Sequence, residues 1–296
     1  MVEEYWQRII ESRFVVPSDR PLPELTAELV EMLGAVDPER RDRVAFSVLA
    51  SWIEAGVYDD LLTTLGDSVC RGLTVGIGTV DDDTVFRRSF SALILAGCIE
   101  RDTVAHLLPV DVVMRWAESA LTWFSRERDD RGWVDGAGWA HTVAHGADLI
   151  LALGESPHLE VTHLQVLLEV IAERVSATTA FLHAGEDDRL AYAVLTIVQR
   201  NLLGSEPLEA WVATLGALSE QTRMTPLGDA GWTAAAQNAK QLLRTLYAHV
   251  SIGILPRHAS LDFSAAPSAR PDLLLALAAA APRASPWLYP SVTSAS

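Results

Sequence analysis

Almost every stretch of this chain between turn signals places apolar side chains three and four residues apart, the spacing that lines one face of an α-helix. Leu25, Leu29, Val30 and Leu33 form such a face, and Gly34 stops it. Asp37, Pro38 and Glu39 then read as a cap, a first-turn proline and an acidic start. The helix they open carries Val44, Val48, Leu49, Trp52 and Ile53. Another begins after Asp81-Asp82-Asp83 and carries Val85, Phe86, Phe90, Leu93 and Ile94, and a further one runs from Val112 through Trp116 to Phe124. More helices are expected around 161–175, 187–202, 208–218 and 232–252. Period-two alternation is scarce; residues 75–80 have some strand character, but their glycines suit a loop better. The spacing predicts an all-α fold.

Connections are short and rich in Gly, Pro and Asp, which favours antiparallel helical hairpins. Consecutive hairpins share no residues at fixed offsets, as in degenerate helical repeats. The expected architecture is one helical-repeat domain over 1–284, its stacked antiparallel hairpins forming a HEAT/armadillo-like α-solenoid. A closed α/α barrel is the alternative. Residues 285–296, rich in Ser and Pro, are expected to form a flexible C-terminal tail.

Composition narrows the partners. With 49% hydrophobic residues the chain can bury a large core. Its formal net charge is −16, and Lys240 is its one lysine. An acidic chain without a basic cluster is repelled by phosphate backbones and by anionic lipid, so neither nucleic acid nor membrane is an expected partner. The acidic start, Met1 to Trp6, lacks the basic-then-apolar order of a signal peptide. The longest apolar run, 273–282, falls well short of the about 20 residues that span a bilayer. Cys70 and Cys98 lie in apolar helical sequence and read as reduced, partly buried thiols, so the expected location is cytoplasmic.

The stretch from Gly136 to Asp148 holds the candidate site. Placed on one helix at about 100° per residue, His145 lies about 40° from His141, and Asp148 about 20° to the other side. Val143, Ala147 and Ile150 point the opposite way, so the stripe is expected to face water or a groove. Imidazoles one turn apart can bind zinc or iron with a carboxylate as third ligand, which makes His141, His145 and Asp148 candidate metal ligands. The histidine spacing matches H-E-x-x-H, but Thr142 stands where that motif has its general-base glutamate. The alternatives are a metal-free polar ligand site, or residues that cap neighbouring helices or face water.

Two flanking segments add candidates. Residues 126–135 mix arginines with carboxylates, a pattern of local ion pairing more often than of substrate binding. Gly132, Gly136 and Gly138 permit positive φ and close backbone approach. Asp135 and Trp139 flank the start of the helix and join the candidate ligand-binding set. Further on, Glu186-Asp187-Asp188 suits a helix N-terminus, and Glu186 is also placed in the set as a carboxylate that could face the histidine stripe.

The run Glu127-Arg128-Asp129 with Arg131-Gly132, followed by Gly138-Trp139-x-His141-x-x-Ala144-His145-Gly146-Ala147-Asp148-Leu149, resembles the bacterial domain-of-unknown-function family 2785. Glu186-Asp187-Asp188-Arg189-Leu190-Ala191 is similar to a later segment of that family. The likeness is concentrated between about Trp116 and Leu202. It implies a helical-repeat fold and carries no assigned reaction.

Gly76-Ile77-Gly78 lacks the spacing and the strand–helix setting of a dinucleotide site, and no glycine-rich loop leads into a lysine. Gly66-Asp67-Ser68 faintly resembles an esterase nucleophile segment, but it lies in a helical run. Trp52, Trp116 and Trp123 sit at core spacing. Two functions remain. One is a helical-repeat protein that binds a small molecule, peptide or partner protein, a basic one included, in a groove lined by Trp139, His141, His145 and Asp148. The other is an enzyme, a hydrolase or lyase with or without a metal, using His141 or His145 as acid/base with Asp135, Asp148 or Glu186 assisting. No complete catalytic constellation can be read, so the binding protein is preferred.

Overall fold

The structure, a computed structural model, describes residues 2–224, 230–257 and 263–289. These hold twelve α-helices and two short hairpins of two strands each, an all-α protein. Contacts divide the chain into two compact units, Met1–His158 and Leu159–Ser296. No helix among the described residues is long and apolar enough to cross a membrane.

In the first unit, α1 (Val2–Glu11) and α2 (Leu22–Met32) precede a π-helical segment, Glu39–Phe46, that continues into α3 (Ser47–Glu54). Asp37 accepts a hydrogen bond from the Glu39 N–H, as the capping pattern anticipated. Then come α4 (Leu62–Gly72), α5 (Thr84–Ala105) and α6 (Val110–Arg126). A hairpin of β1 (Trp133–Val134) and β2 (Gly138–Trp139) leads into α7 (Thr142–Glu155). Helix α5 is the hub and packs against α3, α4, α6 and α7. Its start is set by Asp82, whose carboxylate accepts from the Thr84 N–H and hydroxyl.

Three core tryptophans have their indole N–H groups satisfied: Trp52 donates to the Phe14 carbonyl, Trp116 to Asp67 and Trp123 to Glu127. All three are buried, so each adds a large apolar surface to the core without an orphaned polar atom. Asp67 is thus an indole acceptor within α4, and the esterase-like triplet around it is ordinary helix.

The second unit contains α8 (Val161–Ala177), α9 (Glu186–Gln199), α10 (Ser205–Ser219), β3 (Thr222–Met224), β4 (Ala230–Trp232), α11 (Ala234–Ile252) and α12 (Arg270–Ala284). Helix α11 is its hub and touches α8, α9, α10 and α12. The helix expected from residue 232 begins at Ala234 instead, because Thr233 caps it by accepting from the Ala236 N–H, which leaves Trp232 in a strand. The expected tail starts within the described residues: Ser285 is buried and Pro286–Leu288 form a 3-10 turn, whereas 290–296 lie outside them.

Cys70 and Cys98 are free thiols, and burial pushes the Cys70 pKa up to about 12 and that of Cys98 higher still. Neither thiol should react with a disulfide reagent at pH 8 in the native protein, and both should react once denaturant is added; a fast native phase in the absorbance trace would contradict the packing. Gly146 lets α7 approach α6, since a Cβ there would lie 2.2 Å from Phe124 Cε2. Gly146→Ala should therefore cost about 1–3 kcal/mol by overpacking, measured as a shift of the urea midpoint.

Candidate functional site

The segment between α6 and the hairpin is built on a buried ion pair. Arg88 of α5 and Glu127 are both fully buried and meet in two bonds, Nε to Oε2 at 2.5 Å and Nη2 to Oε1 at 2.9 Å. Glu127 also accepts from Trp123 Nε1 and from the N–H groups of Arg128 and Asp129. Arg88 directs its remaining nitrogen to the carbonyls of Val75 and Gly76 and to Thr84 Oγ1. Every formal charge is met by hydrogen bonds, the condition under which a buried pair is tolerated. Next, buried Asp129 accepts from Arg131 and from the Asp81 N–H, and its carbonyl accepts from Thr142 Oγ1 at 2.5 Å. The charge-dense connector is therefore a set of ion pairs that positions the hairpin.

The hairpin itself is short. Trp133 pairs with Trp139 and Val134 with Gly138, around a corner formed by Asp135 and Gly136. Ala137 and Ala140 pack on Val85 and Phe86 of α5. Beneath the corner lies Arg41 of the π-helical segment, wholly buried. Its guanidinium donates to the carbonyls of Ala35, Val36 and Ala137 and rests over the rings of Phe86 and Phe90, at 4.1 and 4.8 Å. Burial pushes the Arg41 pKa down and that of Asp42 up, and the ion pair between them at 2.7 Å offsets part of each shift. Gly138, at φ 80°, sits where a Cβ would press on Arg41 Nη2 and Pro38 Cβ, both at 3.2 Å.

His141 does not lie on the helix as expected. Helix α7 begins at Thr142, and His141 precedes it in the left-handed region at φ 50°. The His141 ring stacks flat on Trp139, with centroids 4.0 Å apart and planes 11° apart. One turn on, His145 is turned into the core rather than toward water or a groove. Its Nδ1 lies 2.6 Å from Ser89 Oγ, and Phe90 meets its ring edge-on. The Ser89 hydroxyl donates to the Ala140 carbonyl, so it accepts from His145 Nδ1–H and fixes that proton. Asp148 is half-buried, and every other residue of α7 is buried. The helix is covered nearly all round because α5 and α6 both pack on it.

The rings form a ladder from solvent to core. Trp133 is 58% exposed and Trp139 38%, and they meet edge to face at 5.0 Å. Trp139 stacks on His141, His141 lies 5.7 Å from His145, and His145 touches Phe90. The structure thus brings Trp139, His141 and His145 together, joined by Trp133, with Asp135 exposed at the hairpin corner. The expected metal set of His141, His145 and Asp148 does not assemble. Among the described residues no group of three His, Cys, Asp or Glu side chains could hold an ion. His141 precedes α7 with a left-handed backbone, and His145 turns its Nδ1 to Ser89 in the core, so the three side chains are not carried as ligands on one helical face. Glu186 belongs to the second unit, where it opens α9, is buried and accepts from the Ala184 N–H at 2.7 Å.

Sequence reasoning passed over Arg41, Arg88 and Ser89. A signal for Arg88 was present: it falls in the row Val85, Arg88, Ala92, Leu95, Ile99, and a cation inside an apolar helical row calls for a buried partner.

An all-α protein that displays a ladder of aromatic rings, braced from beneath by buried arginines, is the class that this fold and site define. The chain belongs to the family described as protein of unknown function (DUF2785), whose model matches residues 73–248, more than half of its length. The resemblance drawn from the residues around His141 is borne out. No match to the chain was found among curated proteins or among solved structures.

Arg88→Met would leave the Glu127 carboxylate buried without its cation, and should destabilise the protein by about 3–5 kcal/mol in urea unfolding. A loss below about 1 kcal/mol, the range of an exposed pair, would show that water reaches the site.

Proposed function

We propose that this protein is a non-catalytic binding module whose first unit recognises a basic segment of a partner protein or peptide on the ladder of Trp133, Trp139 and His141. The observation that carries the reading is the exposure of two tryptophans on a braced hairpin, in a unit that buries Trp6, Trp52, Trp116 and Trp123. Exposed aromatic rings held rigid are the usual anchors of interfaces, since little side-chain freedom is lost on binding. Trp133 is open to solvent and Trp139 partly so, which suits a partner's side chain better than an enclosed small molecule. The charge around them selects its sign. Asp135 sits at the corner, and Arg131 and Asp129 hold the exposed Asp81-Asp82 turn beside the hairpin. Tryptophan faces with nearby carboxylates favour guanidinium and ammonium groups.

The enzyme reading has less to stand on. Its hydroxyl–imidazole contact, Ser89 with His145, is sealed in the core, and the hydroxyl proton is committed to the Ala140 carbonyl. Helices two apart in sequence pack on each other: α5 on α7 in the first unit, and α8 on α10, α9 on α11 and α10 on α12 in the second. That pattern supports stacked helical hairpins, the solenoid-like arrangement, within each unit. Two free thiols, neither in a disulfide, suit a cytoplasmic setting.

The test is titration of the full protein with an Arg- and Lys-rich peptide, followed by tryptophan fluorescence and calorimetry at low and high salt. Wild type should bind, more weakly as salt rises, and Trp139→Ala should lose about tenfold or more while its circular dichroism and melting stay near wild type. Equal binding of a Glu-rich peptide, or an undiminished affinity in Trp133→Ala/Trp139→Ala, would overturn the proposal.

A further inference from the structure

The second unit carries the chain's one lysine in an unusual place. Lys240 lies on the buried side of α11, in the row Ala236, Lys240, Leu243, and is itself almost entirely buried. Its ammonium sits 4.7 Å from the ring of Trp232 and 4.3 Å from that of Trp287. Burial, and after it the charge of Arg244, lowers its pKa. Among the described residues neither Lys240 nor Arg244 pairs with a carboxylate; Arg244 donates to Ser285 Oγ at 3.1 Å. Indole faces stabilise a desolvated cation, but they leave its charge unneutralised.

Both cations line two adjoining clefts, of about 380 and 500 Å³. The smaller is walled mainly by apolar side chains of α11 and α12: Leu243, Leu277, Ala278, Ala281 and Ala284. The larger has a polar lining that includes His183, Gln237 and Gln241. No Asp or Glu among the described residues lines either one, although carboxylates outnumber cations 39 to 23 in the chain. Two cations lining an apolar cleft, with no carboxylate beside them among the described residues, have the chemistry of a site for an amphipathic anion.

We infer that the cleft between α11 and α12 binds a small organic acid with an apolar body, its anionic head held by Lys240 and Arg244 and its chain laid along Leu243, Leu277 and the alanines of α12. The site is independent of the aromatic hairpin. It stands on residues of the second unit alone.

Decanoate is the probe, with decanol and acetate as controls, each titrated into the full-length protein. Binding is read by calorimetry and by the emission of Trp232 and Trp287 beside the ammonium. Decanoate should bind at least about tenfold more tightly than either control, since decanol lacks the charge and acetate the apolar body. Arg244→Gln, which leaves the Lys240 indole contacts in place, should lose about tenfold of the decanoate affinity, and Lys240→Met more. A melting curve for each variant separates loss of the site from loss of the fold. Equal affinity for decanol and decanoate would remove the head-group role, and absence of binding by decanoate would remove the site. Folded Arg244→Gln and Lys240→Met proteins that bind decanoate like wild type would reduce Lys240 to a structural clip between two indoles.

Discussion

The first unit rests on a carboxylate that never meets water. Glu127 gathers five donors, two from Arg88, one from the Trp123 indole and two from the main chain just beyond itself. Through them α5, α6 and the start of the hairpin connector share one anchor, and Arg88 extends it to the turn after α4 through Val75 and Gly76. Such a group contributes little net stability against a hydrophobic replacement of equal shape. Its contribution is geometric: the chain can leave α6 in one direction only. Asp129 and Arg131 then repeat the device two residues on, and the hairpin is delivered to the surface already aimed.

The class of fold was readable because helical spacing is a local property, repeated in nearly every segment. α8, α9 and α10 appear within a few residues of where periodicity places them. The site was readable only in part. Treating residues 136–148 as helix put His141, His145 and Asp148 on a common stripe, but the glycines at 136 and 138 serve a hairpin corner instead. His141 takes a left-handed backbone there, which no apolar count reveals. Facing was misread for the same reason. With α5 and α6 both packed on α7, a polar stripe has nowhere to go but inward, and His145 is accommodated by a hydroxyl from another helix. Partners distant in sequence, Ser89 for His145 and Arg41 for the Ala137 carbonyl, are invisible until the chain is folded.

The two units treat their aromatic residues differently. In the first, tryptophans divide between a sealed core with every indole N–H satisfied and a pair left in solvent above a column of imidazoles. In the second, two indoles bracket an ammonium. Both arrangements put π-faces against polar or cationic groups, and both lie outside what patterning by hydrophobicity can register, since a tryptophan counts the same in either role.

The π-helical stretch before α3 has a consequence for chain length. The segment Glu39–Phe46 closes its hydrogen bonds over five residues, so each of its turns holds one residue more than the ladder of an α-helix. Arg41 lies in that segment. Removing one position between Glu39 and Phe46 would let the segment relax to ordinary α-helix, rotating Arg41 by about 100° relative to α3. The guanidinium would swing off Phe86, Phe90 and the Ala137 carbonyl together, and the corner of the hairpin would lose its floor. The angle at which the tryptophans are presented is thus set by the length of a helix nearly a hundred residues upstream.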